Sequence, residues 1–255
     1  MNAWQMIKRL FVVHKCAACR RILSLDGFDD ALCEDCLQAY RVASTESCPE
    51  CFKSARECLC QPKLLSDVGL LGLRKLYFYH TDKESEPQNR LIYFIKHHSS
   101  ARAQSFIASE LYKLVSEEIK ELVGCDYYEQ DELIVVNVPR GRKAKLEYGF
   151  DHAAFVSIDI AGLLKVEYLP VIKRRAGGKE QKKLNAAERR RNMKNILYAD
   201  PKLSDTVKDK CVILFDDVVT TGASMEGCVK ILRKLGAKAI ICCCIATDIK
   251  KKKNS

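Results

Sequence analysis

Glycine and proline are scarce in this 255-residue chain, at 12 and 6 residues, which excludes a collagen-like or Pro/Gly low-complexity polymer. Long apolar runs are missing too. The longest, Ala239 to Ala246, falls far short of the roughly 20 residues a helix needs to cross a bilayer. Near the N-terminus, Phe11-Val12-Val13 follows Lys8 and Arg9, but the run is too short for a signal-peptide core and no small-residue cleavage site follows. Secretion and membrane spanning are therefore not expected, and the chain reads as cytoplasmic. Present in quantity are apolar residues, 47%, and charged ones, 30%, a balance that argues against disorder. At about 150 residues per domain the length allows one or two domains, and a region of this size buries about 70% of its unfolded surface without needing staples.

Cysteine and charge are unevenly placed. Eight of the 14 cysteines lie between Cys16 and Cys60. They come as C-x2-C at Cys16 and Cys19, C-x2-C at Cys33 and Cys36, C-P-x-C at Cys48 and Cys51, and C-x-C at Cys58 and Cys60. In a reducing compartment such pairs indicate metal rather than disulfides. Two thiolates on one tight turn hold one side of a tetrahedral Zn²⁺, and a second turn closes the site. Four pairs fit two structural zincs, with three possible partitions. A closed site leaves no position for catalysis, so its metal is folding energy for a short polar segment. From Met1 to Cys60 eight Lys/Arg balance eight Asp/Glu, whereas Lys173 to Lys194 holds ten basic residues and only Glu180 and Glu188, most of the chain's net +10.

Periodicity divides the chain further. A cysteine module over residues 14–62 is followed by a connector, Leu64 to Lys96, with a strand-like Lys75–His80. Apolar residues three or four apart predict an amphipathic helix over Ala101–Val123, ended near Gly124. Beyond it the pattern alternates: strand Leu133–Val138, helix Asp151–Leu164, short strand Glu167–Ile172, strand Cys211–Phe215, helix Ala223–Leu235 closed by Gly236, and strand Ala239–Ala246. Alternating strands and helices predict an α/β domain over 64–249, a mostly parallel sheet with helices on both faces. No internal repeat is evident. Residues 250–255 read as a basic, frayed tail.

The most informative stretch is Val212-Ile213-Leu214-Phe215-Asp216-Asp217-Val218-Val219-Thr220-Thr221-Gly222-Ala223-Ser224. Four apolar residues form a buried strand, two carboxylates mark its end, and a loop of small residues opens a helix. Ligands bind at the carboxyl ends of parallel strands, where a helix N-terminus offers unpaired N–H groups to phosphate. Gly222 permits close backbone approach, and the hydroxyls of Thr220, Thr221 and Ser224 add donors. Carboxylates beside a phosphate must face something else, either sugar hydroxyls or a cation.

This stretch resembles the phosphoribosyl-diphosphate (PRPP) loop of the type I phosphoribosyltransferases. The resemblance implies that Asp216 and Asp217 hold the ribose 2′- and 3′-hydroxyls and that Thr220, Thr221, Gly222, Ala223 and Ser224 hold the 5′-phosphate. More of the chain resembles one branch, the ComF family. The cysteine ribbon, Val138-Pro139-Arg140-Gly141-Arg142-Lys143, Gly149-Phe150-Asp151-His152-Ala153 and Gln181-Lys182-Lys183-Leu184-Asn185 through Arg189 to Asn192 together match its pattern from about Cys16 to the last strand. One departure is Tyr148-Gly149-Phe150-Asp151-His152, where the family usually has Arg-Gly-Phe-Asn-Gln. Asp151 reads here as a helix cap and His152 as a surface histidine.

The resemblance implies a mobile lid in the basic segment, with Lys173, Arg174, Arg175, Lys182, Lys183, Arg189 and Arg190 closing over the diphosphate and Gly177-Gly178 as hinge. It implies that Pro139, Arg140 and Gly141 meet the same diphosphate, and that Mg²⁺ accompanies PRPP. Lid cations would stabilise charge gathering on the departing diphosphate while excluding water. Equally, the ten cations between Lys173 and Lys194 suit salt-sensitive nucleic-acid binding, without aromatics for base stacking. No catalytic residue and no acceptor site can be named. In purine-salvage relatives an aspartate stands where Thr220 does, and Thr220 cannot handle a base nitrogen. Three readings follow: phosphoribose transfer to an unidentified acceptor; a non-catalytic factor that assists single-stranded DNA handling with the DNA-uptake machinery in competence, which is what the family name implies; or a PRPP- or nucleotide-sensing regulator.

Overall fold

A computed structural model describes residues 13–24, 27, 29–81, 85–123, 132–141, 146–147, 149–175 and 196–248. Its centre is a five-stranded sheet built from β1 (Gly72–Tyr79), β2 (Leu133–Asn137), β3 (Glu167–Tyr168), β6 (Cys211–Val219) and β7 (Ala239–Asp248), ordered β1-β7-β6-β2-β3. Every pairing in it is parallel, with Val135 opposite Ile213 and Ile213 opposite Ile241 across the middle. Such strands are buried on both faces, which is why they read as unbroken apolar runs.

Alternate residues of these strands serve two cores. Ile213, Phe215, Ile241, Cys243 and Val135 face α2 (Pro87–His97), α3 (Ala101–Val123) and α4 (His152–Leu164). Val212, Leu214, Ile240, Cys242 and Val136 face α5 (Ala223–Lys234). Helices on both faces of a parallel sheet are the arrangement the alternation predicts. Asp151 caps α4 by accepting the Ala154 N–H at 3.4 Å.

Three expectations need correction. The segment from 64 to 96 is no connector: β1 is an edge strand of the sheet, and α2 contributes Leu91, Ile92 and Ile95 to the core. Glu167–Ile172 is two strands rather than one, because Pro170 has no N–H to extend a ladder. β3 joins the main sheet, and β4 (Ile172–Arg174) pairs antiparallel with β5 (Leu197–Ala199). Finally, β6 does not end at Phe215 but runs through the paired carboxylates to Val219. Gly124 and residues 250–255 lie outside the described residues.

The cysteines form two lobes in sequential order, preceding β1. Cys16, Cys19, Cys33 and Cys36 make one set, and Cys48, Cys51, Cys58 and Cys60 the other. A structural repeat appears that the sequence does not advertise. In each lobe the N–H of the residue after the first cysteine pair bonds the carbonyl of that pair's first cysteine, Arg20 to Cys16 at 3.0 Å and Phe52 to Cys48 at 2.9 Å. Both residues take left-handed backbone, φ 65° and 60°. α1 (Glu34–Ser44) begins at the second pair of the first lobe, and its Tyr40 packs edge-on against Tyr77 of β1.

Candidate functional site

At the carboxyl ends of β2 and β6 lies a cleft of about 220 Å³. It is lined by Pro139, Arg140 and Gly141, by Asp216 and Asp217, and by Thr220, Thr221, Gly222, Ala223 and Ser224. Two stretches far apart in sequence, Pro139–Gly141 and Asp216–Ser224, thus meet around one space. Topology brings them there: parallel strands all end at one edge, and β2 and β6 are neighbours in the sheet.

The carboxylates are held by their own backbone and by a cationic network. The Asp217 N–H donates to Asp216 Oδ1 at 2.9 Å, and the Val218 N–H to Asp217 Oδ1 at 2.5 Å. Asp217 Oδ2 faces His152 Nε2 at 2.7 Å and Lys96 Nζ at 3.1 Å. Burial, followed by the adjacent Asp217 charge, pushes the Asp216 carboxyl well above its ordinary range. For Asp217 burial acts the same way, but the Lys96 charge and the His152 hydrogen bond outweigh it and hold that carboxyl low. The pair therefore favours one negative charge over two.

Arg140 reaches the same network, donating from Nη1 to the Lys96 carbonyl at 3.1 Å and lying 2.9 Å from His152 Nδ1. His152 is 2% exposed. It is not the surface histidine that its place at a helix start suggests but the bridge between the two strand ends. Lys96, at the last turn of α2, gave no signal in the sequence. His152 gave one only as a departure from the family pattern.

Arg174 of the expected lid lines the cleft from β4, and burial lowers its pKa. Lys173 pairs loosely with Asp200 at 3.9 Å, and the Arg175 guanidinium sits 5.3 Å from the Tyr198 ring centroid. This end of the basic segment is thus a paired strand and its edge. Gly177-Gly178, Lys182, Lys183, Arg189 and Arg190 lie outside the described residues.

Gly222 precedes α5 at φ +78°, and a Cβ there would come 2.9 Å from Leu65 Cγ. Glycine is required by backbone sign and by the turn Lys63–Leu65 packed beneath the loop, whatever the loop binds.

The cysteine sets suit zinc. Four sulfurs around one Zn²⁺ at 2.3 Å stand about 3.8 Å apart. In each set all four sulfurs lie within 4.8 Å of one another, and Cys19 and Cys33 Sγ are 3.6 Å apart. Each set could hold one ion in a closed, structural site. Lys75 of β1, fully buried, donates from Nζ to the Cys58 carbonyl at 2.6 Å and so ties the second lobe to the sheet. Among the described residues no helix is long and apolar enough to cross a membrane.

The phosphoribosyl transferase domain family matches residues 151–255 of the chain. Competence protein ComFC of Streptococcus pneumoniae (strain ATCC BAA-255 / R6) is 24% identical over 222 residues, 86% of this chain and 89% of that protein. Competence protein F of Haemophilus influenzae (strain ATCC 51907 / DSM 11121 / KW20 / Rd) is 30% identical over 107 residues, covering 42% of this chain and 46% of that protein. A purine phosphoribosyltransferase from Pyrococcus horikoshii Ot3 superposes with a TM-score of 0.34 at 20% identity, over 56% of this chain and 74% of that one.

Proposed function

The chain belongs to the ComF family and carries a phosphoribosyl transferase domain, and from that premise we propose that it binds PRPP with Mg²⁺ in this cleft and transfers the phosphoribosyl group to an acceptor. One observation carries the reading: the carboxylate pair, the Thr220–Ser224 loop and the Pro139–Gly141 strand end line a single space. Asp216 and Asp217 accept from the ribose hydroxyls, the N–H groups opening α5 receive the 5′-phosphate, and Arg140 and Arg174 meet the diphosphate. Residues 14–62 serve as the zinc-bearing module and 64–249 as the transferase domain, in a reducing cytoplasm that keeps the cysteines as thiolates.

In the reaction the bond from C1 to the diphosphate oxygen breaks, and its electron pair leaves with diphosphate. The acceptor's lone pair forms the new bond to C1, and the acceptor's proton passes to solvent. When bound, Mg²⁺ withdraws charge from the diphosphate and improves it as a leaving group. Arg140 is already oriented by Lys96 and His152, so little ordering is left for the moment of reaction.

Calorimetric titration with PRPP and MgCl₂ tests this. Replacing both acids (Asp216→Asn with Asp217→Asn) weakens the hydrogen bonds to two ribose hydroxyls, one of them charge-assisted and worth about 1.5–3 kcal/mol, so affinity falls tenfold or more while inorganic phosphate still binds. Folded wild-type protein that ignores PRPP would reject the reading. The relatives are named as competence proteins, which fits a second reading, a non-catalytic competence factor; handling of single-stranded DNA with the uptake machinery enters that reading only from the family resemblance. DNA binding that persists without PRPP, together with no diphosphate release across acceptors, would select it.

A further inference from the structure

β2 closes on Asn137, a polar residue that is only 5% exposed at the end of an otherwise apolar strand. The donor-site reading gives it no task. Its amide meets the hydroxyl of Tyr168 on β3: Asn137 Oδ1 lies 2.7 Å from the Tyr168 hydroxyl, while Asn137 Nδ2 donates to the Val138 carbonyl at 3.1 Å. Register explains the meeting. Tyr168 is the ladder partner of Val135, and Asn137, two residues further along β2, shares the face of Val135.

The orientation of this amide is fixed. Turned over, it would set its oxygen against the Val138 carbonyl oxygen, so the NH₂ end must face Val138 and the phenol must donate to Oδ1. Burial, followed by the Asp151 charge, pushes the Tyr168 pKa up to about 12. The phenol therefore keeps its proton near neutral pH and remains a donor.

What the amide does follows from the chemistry of the strand end. The Val138 N–H still bonds the Phe215 carbonyl at 2.8 Å, but the next residue is Pro139, which has no N–H to give. Val138 and Pro139 both line the cleft beside Arg140 and Gly141. A carbonyl oxygen left free at such a place would set the negative end of its dipole against an anionic ligand. Taken by Asn137, it leaves Arg140 and Arg174 to dominate. The segment that carries Tyr168 also carries Arg174, whose Cζ stands 3.8 Å from the point a Cβ on Gly141 would occupy. Residues 167–174 thus meet this strand end at two places, one on each side of Pro170.

We propose that Asn137 and Tyr168 are positioning residues for the diphosphate end of the cleft: Tyr168 fixes the Asn137 amide, and the amide withdraws the Val138 carbonyl so that this strand end meets diphosphate with donors alone. The inference rests on the donor reading above and adds to it two residues that act without touching PRPP.

PRPP and ribose 5-phosphate differ at the diphosphate, so the ratio of their affinities isolates this end of the cleft. Calorimetry on the full chain with MgCl₂ is expected to show PRPP bound tighter than ribose 5-phosphate. Asn137→Leu, close in volume but without a donor, should reduce that ratio about tenfold, with ribose 5-phosphate within about twofold of wild type and so reporting an intact fold. Tyr168→Phe should move the ratio the same way by a smaller factor. The double variant should lose no more than Asn137→Leu alone, because Tyr168 acts through the amide. Inorganic diphosphate should follow PRPP through the series. If Asn137→Leu does not fold, the ratio in Tyr168→Phe decides alone. Equal losses for PRPP and ribose 5-phosphate, a ratio that survives the substitutions, or effects that add in the double variant would overturn the assignment and leave the donor reading standing. Wild-type protein that binds neither PRPP nor ribose 5-phosphate overturns the donor reading itself, and this inference with it.

Discussion

His152 Nε2 stands 2.7 Å from Asp217 Oδ2, while the Nδ1 of the same ring lies 2.9 Å from the Arg140 guanidinium. A guanidinium can only donate, so Nδ1 must accept and the ring proton sits on Nε2, directed at the carboxylate. The neutral ring thus joins the strand end expected to meet diphosphate to the one expected to meet ribose. His152→Ala is expected to weaken PRPP tenfold or more while leaving inorganic phosphate binding within about twofold, since the Thr220–Ser224 loop is not part of the network. His152→Gln, which can donate and accept through one amide, should recover part of the loss. Titrations of the three proteins check this, and equal losses for PRPP and phosphate would mean His152 supports only the fold.

Asp216 predicts a gain in stability at the expense of function. Its folded-state pKa lies above the unfolded value, so its favourable contribution is complete below about pH 4 and is lost as pH rises through the raised folded value. Asp216→Asn removes the crowded charge. The ligand-free variant should be more stable than wild type at pH 7, by about 1 kcal/mol, with the advantage shrinking as pH falls toward 4. Urea denaturation at several pH values measures it, and an advantage that grows on acidification contradicts the assignment.

How much of this was legible depended on whether a signal was local. Val212–Ser224 carries strand, carboxylates and loop in one continuous stretch, and Ala101–Val123 repeats its apolar residues along its whole length, so both could be read directly. The pairing of cysteines could not be, because three partitions satisfy the same spacing and only the packed lobes distinguish them. β1 was read only in part, as Lys75–His80 inside a connector, because Arg74 and Lys75 are polar residues in a strand whose lysine is buried against the second lobe rather than exposed. His152 was misread for the same reason. A polar residue at a helix start is usually solvated, and only the approach of β6 from 65 positions away turns it inward.

Lys75 makes the second lobe the more sensitive of the two to charge. Four thiolates around Zn²⁺ carry a net charge of about −2, and a buried ammonium beside them offsets part of it. Metal analysis is expected to give close to two Zn²⁺ per chain. Lys75→Met should lose one of them to a competing chelator at least tenfold faster than wild type, with the other unchanged. Cys60→Ser should also weaken PRPP, because Gln61–Leu65 links that lobe to the phosphate loop. Cys19→Ser, in the lobe packed on the helices, should lower stability with a smaller effect on PRPP. Purified protein with no bound metal, or with both zincs released alike, would reject this.

Gly222 and Gly149 allow backbone strain to be separated from packing at the loop. Both have positive φ, 78° and 76°, but a Cβ at Gly149 would have nothing within 4 Å, whereas one at Gly222 would meet Leu65 Cγ at 2.9 Å. Gly149→Ala therefore costs only the left-handed conformation, about 1 kcal/mol. Gly222→Ala adds displacement of a fully buried leucine, so its total should reach about 2–4 kcal/mol. The displaced turn carries Gln61 and Leu64 with it, so Gly222→Ala is also expected to reduce binding of both inorganic phosphate and PRPP, while Gly149→Ala spares the phosphate. Leu65→Val in the Gly222→Ala background makes room and should restore part of the stability but none of the φ strain. Thermal unfolding and phosphate titration of the four proteins decide it. Equal costs for the two alanine substitutions would show that Leu65 yields freely and that the turn does not brace the loop.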